Sequence, residues 1–224
     1  MTGAEPEEGR VEPLSGLRRT AARRMQQAWA APVFHLTREV GMAEASRVKA
    51  VVPGATVTDV LIRAAARALI AVPEVNVHVA EDSVTAFAHA GVGIAVAAPR
   101  GLTVPVVHRA DALSLAEIAA RRADVVARAR EGGLVREDIT GGTFTISNLG
   151  MMGVQQFDAI LNVPQAAILA VGATVDRQRI VDGEPRWVRL ASLTLTCDHR
   201  ALDGAAGARF LDALAQEIER PVEG

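Results

Sequence analysis

His199 stands where an apolar, β-prone run, Ala191 to Cys197, gives way to polar residues and then to a helical pattern from Ala205 to Ile218. Asp198 precedes it, and Asp203-Gly204 follows four positions on. An imidazole ionises near neutrality, so at a strand end it can take a proton from a weak acid. Loops held by rigid elements are where reactive side chains concentrate. Taken alone, a histidine beside an aspartate is more often a hydrogen-bonded structural residue. Ser147, at the end of a second apolar strand, reads on its own as a turn residue. Cys197 is rejected as a nucleophile, because a cysteine within an apolar strand behaves as a small hydrophobe. His35, His78, His89 and His108 are spread singly, at no metal-ligand spacing, so no metal site is expected.

The elements that must position these residues follow from capping and periodicity. Ser15 caps a first helix whose stripe is Leu17, Ala21, Ala22, Met25, Ala28 and Trp29, surrounded by arginines. Val33 to Val40 is a strand. Thr58-Asp59 caps a helix through Leu69. Strands are expected from Pro73 to Val77, Val84 to Phe87 and Val92 to Ala97, and Pro99 to Pro105 is a turn leading into another. Ser114 with Glu117 forms a capping box for a helix that ends at Gly132-Gly133. Strands then run from Thr143 to Ser147 and Gln165 to Val171. Gln178–Val181 and Arg186–Val188 form a hairpin about Asp182-Gly183. Residues 1–12 read as an acidic, disordered leader or linker stub, and 13–224 as one α/β domain.

Composition narrows the classes. The chain has 224 residues, half of them hydrophobic and 22% charged, with a net charge of −2. That argues against a nucleic-acid-binding surface, which is usually basic. Lys49 is the only lysine, so few positions could bear a Schiff base or a lipoyl group. A single cysteine excludes an intrachain disulfide and fits a reducing compartment, so a cytoplasmic location is expected. No apolar run is long enough for a membrane span.

Two stretches carry a family resemblance. His199-Arg-Ala-Leu-Asp-Gly204, after a strand and before a helix, resembles the H-x-x-x-D-G signature of the CoA-dependent acyltransferases. Gly141-Gly-Thr-Phe-Thr-Ile-Ser-Asn-Leu-Gly150, followed by Pro164-Gln-Ala-Ala-Ile-Leu-Ala-Val-Gly172, looks very like the catalytic cores of 2-oxoacid dehydrogenase complexes. Asp198 stands where chloramphenicol acetyltransferase-type relatives usually carry a second histidine, which favours the dehydrogenase-complex branch. The resemblance runs from about Pro13 to Pro221.

The resemblance implies a chloramphenicol acetyltransferase-like fold, a mixed sheet flanked by helices, assembled as a homotrimer with active sites between subunits. It implies transfer of an acyl group between dihydrolipoamide and coenzyme A, with His199 as general base and Ser147 stabilising the oxyanion. Asp203 would be structural more than catalytic, paired with Arg18 of the first helix, and Gly204 would serve close packing or a positive φ. Asn148 and Gly150 would contact substrate. The lipoyl group would be supplied on a separate domain, and the other dehydrogenase-complex components would be partners. The polar end Glu219–Gly224 leads us to expect a trimer that does not close into a cage, although the short Gly41–Ala55 segment could compensate by exposing another surface. Two alternatives are an idle trimeric scaffold core and acyl transfer from acyl-CoA to a small hydroxyl or amine acceptor.

Overall fold

The computed structural model describes residues 12–98 and 101–222. The expected leader lies outside them apart from Glu12, as do Pro99 and Arg100 of the expected turn. Helix α1 (Gly16–Trp29) begins at Ser15, whose hydroxyl accepts from the Arg18 amide at 3.3 Å. Strand β1 (Val33–Gly41) follows, then two short helices, α2 (Ala43–Ser46) and α3 (Val48–Val51), and the longer α4 (Val57–Ala71). Helix α4 starts earlier than expected. Asp59 is its third residue, not its cap, and its carboxylate accepts from the Thr56 amide at 2.7 Å and the Thr56 hydroxyl at 2.9 Å. The same buried carboxylate holds Arg122 of α5 (Leu115–Glu131) through two bonds of 2.9 and 2.8 Å, tying the two helices together.

Between α4 and α5 lie β2 (Val77–Val79), β3 (Val84–Ala86), β4 (Val92–Ile94), β5 (Val96–Ala98), β6 (Gly101–Thr103) and β7 (Val106–Val107). Pro73–Val75 forms a 3-10 turn where a strand was expected to begin, so pairing starts only at Val77. The expected strand Val92 to Ala97 is broken at Ala95, whose amide donates to the Ile146 carbonyl at 2.9 Å. Val96 onward then pairs with β6 in a separate ribbon. After α5 come β8 (Phe144–Asn148), β9 (Ala167–Val171), β10 (Val175–Val181), β11 (Glu184–Asp198) and α6 (Gly204–Glu219). The hairpin strand expected at Arg186–Val188 and the strand expected to end at Cys197 are one element, β11. Asp182 and Gly183 turn the hairpin with φ of 52° and 83°, the left-handed values an Asp-Gly pair tolerates.

The main sheet runs β1-β11-β9-β8-β4-β7, with β10 pairing the first half of β11. Strands β9, β8 and β4 are mutually parallel, while β11 is antiparallel to both of its long neighbours. One face carries Phe144, Ile146, Leu193, Leu195 and Cys197 against α4 and α6. Phe144 meets Phe210 with ring centroids 5.2 Å apart. The other face is polar: Thr145, Ser147, Thr194, Thr196, His35 and Thr37 alternate with the core residues. Thr37 pairs with Thr194 at 3.0 Å, and His35 Nδ1 with Thr196 at 2.9 Å. Asn162 and Gln165 reach Thr145 at 3.1 and 2.6 Å, pinning the connection before β9 to β8.

Helix α1 differs from its expected role. Of its stripe only Ala28 is buried, while Met25 is 40% and Trp29 82% exposed; the Leu17 side chain is not among the described ones. The stripe is real as a pattern, but this chain's own core does not cover it.

Candidate active site

Strand β11 delivers His199. The last ladder pair aligns Val33 with Asp198, and the His199 amide donates to the Pro32 carbonyl at 2.8 Å. The chain then turns. The Asp198 carbonyl accepts from the Ala201 and Leu202 amides at 3.1 and 3.0 Å. Asp198 itself is buried, and its carboxylate is gripped by Arg200: the Arg200 amide at 3.0 Å, Nε at 3.0 Å and Nη2 at 2.6 Å. The bond to Asp198 pushes the Arg200 guanidinium above its ordinary pKa, burial opposing it. The imidazole is exposed and rests on Phe34, ring centroids 4.7 Å apart. Phe34 lies opposite Cys197, on the helical side of the sheet. No described side chain or backbone group hydrogen-bonds either ring nitrogen, so both are available to a ligand. Cys197 lies underneath, fully buried, and burial pushes its thiol up to about 12, so it stays protonated at neutral pH.

Beside His199 opens a depression of about 420 Å³, bounded by Glu74, Arg200, Leu202, Asp203 and Arg209. Asp203 caps α6, its carboxylate accepting from the Ala206 amide at 2.7 Å. The expected pair with Arg18 is not formed within the chain. Arg18 lies exposed on α1, and Asp203 is engaged at the start of α6 instead. Gly204 also departs from expectation. Its φ is not positive, and a Cβ added there would meet nothing within 4 Å, so neither close packing nor strain within the chain requires a glycine at this first helical position.

Ser147 is the penultimate residue of β8, with its side chain on the polar face. Its hydroxyl makes no hydrogen bond to any described group of the chain. Asn148 folds back, its side-chain oxygen accepting from the Gly150 amide at 2.9 Å. Gly150 is required by packing, since a Cβ there would lie 2.6 Å from the Gly172 carbonyl oxygen. Next to it Met151 and Met152 are 81% and 74% exposed. Asn148 and Gly150 thus shape the bend that leaves Ser147 at the strand end.

The register fixes how far these two groups stand apart. Ser147 aligns with Ala170, and Ala170 with Thr194. His199 lies five residues further along β11. At ~3.3 Å per residue and ~4.8 Å per strand spacing, the two Cα atoms are about 19 Å apart. They also face opposite sides, Ser147 with the polar face and His199 with Phe34 and the helices. A base and an oxyanion donor must both lie within ~3 Å of one reacting carbonyl and its attacking thiol. Within one chain the two groups therefore cannot meet on one reacting carbonyl.

The remaining histidines are structural. His78 Nε2 meets the Gly142 carbonyl at 3.0 Å, His89 Nδ1 meets Asp111 at 3.0 Å, and His108 Nε2 meets the Glu137 carbonyl at 3.0 Å. Among the described residues no cluster of three or more His, Cys, Asp or Glu could hold a metal ion, and no helix is long and apolar enough to cross a membrane. Sequence reasoning did not single out Asp198 and Arg200 as a pair. Their separation by one residue around the histidine was the available signal.

Known proteins share this arrangement. The family model for the 2-oxoacid dehydrogenases acyltransferase (catalytic domain) matches residues 6–223. The acetyltransferase component of the pyruvate dehydrogenase complex of Schizosaccharomyces pombe is 40% identical over 94% of this chain and 46% of its own length. The corresponding component of Zymomonas mobilis is 36% identical over 93% of this chain and 50% of its own length. This chain thus spans about half the length of the curated relatives it matches. Among solved structures, a probable dihydrolipoamide acetyltransferase from Listeria monocytogenes superposes with a TM-score of 0.90 at 33% identity, covering 94% of each chain. The dihydrolipoamide acetyltransferase of Azotobacter vinelandii gives 0.87 at 30% identity and 97% of each chain. Chloramphenicol acetyltransferase shares the fold, with a TM-score of 0.58 at 15% identity over 88% of this chain and 94% of its own. The mixed sheet and its flanking helices are those of the solved dihydrolipoamide acetyltransferases, and the chain belongs to the family of 2-oxoacid dehydrogenase acyltransferase catalytic domains.

Proposed function

We propose that this domain transfers an acyl group between dihydrolipoamide, carried on a lipoyl domain supplied in trans, and coenzyme A. The observation that carries the reading is the pair of half-sites: an exposed His199 with unpartnered ring nitrogens and a Ser147 with an unpartnered hydroxyl, at opposite ends of one sheet. The dihydrolipoamide acetyltransferase of Azotobacter vinelandii has been studied through a serine, a histidine and an asparagine in its catalytic mechanism. Its histidine follows its serine by fifty-two positions, as His199 follows Ser147, and its asparagine follows the histidine by four. Here that last place is Asp203, a difference consistent with capping α6 rather than with chemistry.

The steps need only these groups. A ring nitrogen of His199 takes the proton of the attacking thiol, since the thiolate is the nucleophile. The thiolate adds to the thioester carbonyl, and the Ser147 hydroxyl of a second chain donates a hydrogen bond to the oxygen as it becomes negative. Collapse expels the other sulfur as a thiolate, which recovers the proton from the imidazolium. Asn148 and Gly150 hold the bend that aims Ser147 and line the approach of the substrate. The arrangement works in a homotrimer, whose cyclic symmetry brings one chain's His199 to the next chain's Ser147 at every interface. The unburied stripe of α1 and the exposed Met151 and Met152 supply apolar surface for that contact. Assembly with other dehydrogenase-complex components in the cytoplasm completes the reading.

Acyl transfer from a panel of acyl-CoAs to free dihydrolipoamide tests it. Transfer to the dithiol with at least one acyl donor supports the proposal. A folded protein that transfers to no thiol acceptor contradicts it and leaves the scaffold reading and transfer to a hydroxyl or amine acceptor.

A further inference from the structure

Asp198 and Arg200 flank His199 and do more than stabilise a turn. Every side-chain hydrogen bond to the buried Asp198 carboxylate comes from Arg200. Asp198 is tied on all sides: its amide to the Ala166 carbonyl at 2.8 Å and its carbonyl to the Ala201 and Leu202 amides. His199 by contrast is anchored only through its own amide and the ring of Phe34. The direction of the imidazole is therefore inherited from the turn that starts at Asp198, which the ladder and these backbone bonds hold and to which the Arg200 guanidinium adds a grip on the Asp198 carboxylate.

We propose that Arg200 is a positioning residue for His199, fixing the turn that aims the imidazole and cancelling the buried negative charge immediately behind it. The proposal rests on the acyl-transfer reading above. The charge argument follows from the groups around the base. Glu74 and Arg209 face His199 across the depression and pair with each other at 3.2 Å. Asp203 and Arg200 lie on the same rim, and Arg200 also pairs with Asp198, the buried residue just before His199. With Arg200 present, the carboxylates of Glu74, Asp203 and Asp198 are set against two guanidiniums. Without it they are set against one, and the Asp198 carboxylate is left buried and bare. Negative charge close to an imidazole favours its protonated form. An imidazolium cannot accept a thiol proton, so a carboxylate left bare beside the base would work against the proposed step. The geometry is specific to arginine as well. Its amide, Nε and Nη2 converge on one carboxylate from two residues away, a planar fork that a lysine ammonium cannot reproduce.

The pH dependence of kcat/KM, measured on the intact oligomer, separates aiming from charge. In Arg200→Gln, the acid limb moves to higher pH by about half a unit or more, and activity recovers in part as pH rises. The double variant Asp198→Asn/Arg200→Gln removes the bare charge and returns the limb to its wild-type position, while kcat stays below wild type because the grip is weaker. Arg200→Lys keeps the charge, leaves the limb in place and lowers kcat without raising KM. A purely structural turn residue would instead lose activity evenly across pH in all three variants, or lose it together with the fold. If Arg200→Gln fails to assemble, Arg200→Lys is read alone: lowered kcat with an unmoved limb supports the proposal, and unchanged kcat overturns it. An unmoved limb in an assembled Arg200→Gln also overturns it. Loss of the acyl-transfer reading is distinguished beforehand, because the folded wild-type protein would then transfer no acyl group to dihydrolipoamide.

Discussion

Ser147 lies level with Thr194 through Ala170, and His199 follows Thr194 by five residues, just past the end of β11, so that strand spacing puts the two about 19 Å apart and on opposite sides of the sheet. That relationship governs the account. No rotamer of either side chain closes such a gap, so a reaction that uses both must draw them from two chains. The half-sites are also complementary in what they lack. His199 has no acceptor or donor on its ring nitrogens, and Ser147 has none on its hydroxyl.

His199→Ala is expected to lower acyl transfer by at least ~100-fold, the low end for a lost general base. The variant should keep its fold, since the imidazole is exposed and hydrogen-bonds to no described group. Steady-state transfer to dihydrolipoamide, with circular dichroism as the folding check, measures this. Wild-type turnover in a folded variant would remove His199 from the mechanism.

Ser147→Ala is expected to lower kcat by ~100- to 1000-fold while KM for coenzyme A changes little. A donor to the developing oxyanion acts mainly in the transition state. An effect confined to KM would instead make Ser147 a residue that binds the ground state.

Arg122→Ala is expected to destabilise the fold by about 3–5 kcal/mol, because it leaves a buried carboxylate without its partner. Asp59 is completely buried and takes two bonds from Arg122. Denaturant unfolding compares the variant with wild type, and a change below about 1 kcal/mol would mean that Asp59 is satisfied by Thr56 alone.

Asp111 gives a stability term with a defined sign. Burial pushes its carboxyl up, but the hydrogen bonds from His89 and the Ala90 amide outweigh it, so its pKa is lowered in the fold. A lowered folded value stabilises above the unfolded pKa of ~3.9, and the gain is lost as pH falls through the folded value. Asp111→Asn should therefore be less stable than wild type at neutral pH, with the difference narrowing below about pH 4. Thermal unfolding across that range reads it, and a difference that is constant with pH would assign the effect to packing.

How much of this was legible beforehand depends on what periodicity and motifs report. The turn at His199 was readable because β11 is apolar up to Cys197 and polar immediately after, and because α6 follows with a clean helical pattern. The capping box at Ser114 and Glu117 was readable for the same local reason. The break at Ala95 was not, since an apolar run does not say that its middle residue bonds to β8 while its end joins another ribbon. The stripe of α1 shows a further limit. Periodicity marks a face that wants cover but not the molecule that covers it, and Met25 and Trp29 of that stripe are exposed in the chain. For Gly204 a motif position was read as a local need, and the chain shows none.

The most direct test of the shared site mixes two inactive proteins. His199→Ala and Ser147→Ala chains, each nearly inactive alone, are unfolded together, refolded at equal amounts and assayed for transfer to dihydrolipoamide. If each site takes His199 from one chain and Ser147 from the next, about a quarter of the sites in a randomly mixed cyclic trimer carry both groups, and activity returns to about a quarter of wild type. A mixture that stays as inactive as its parents, although mixed oligomers have formed, would contradict a site built between chains.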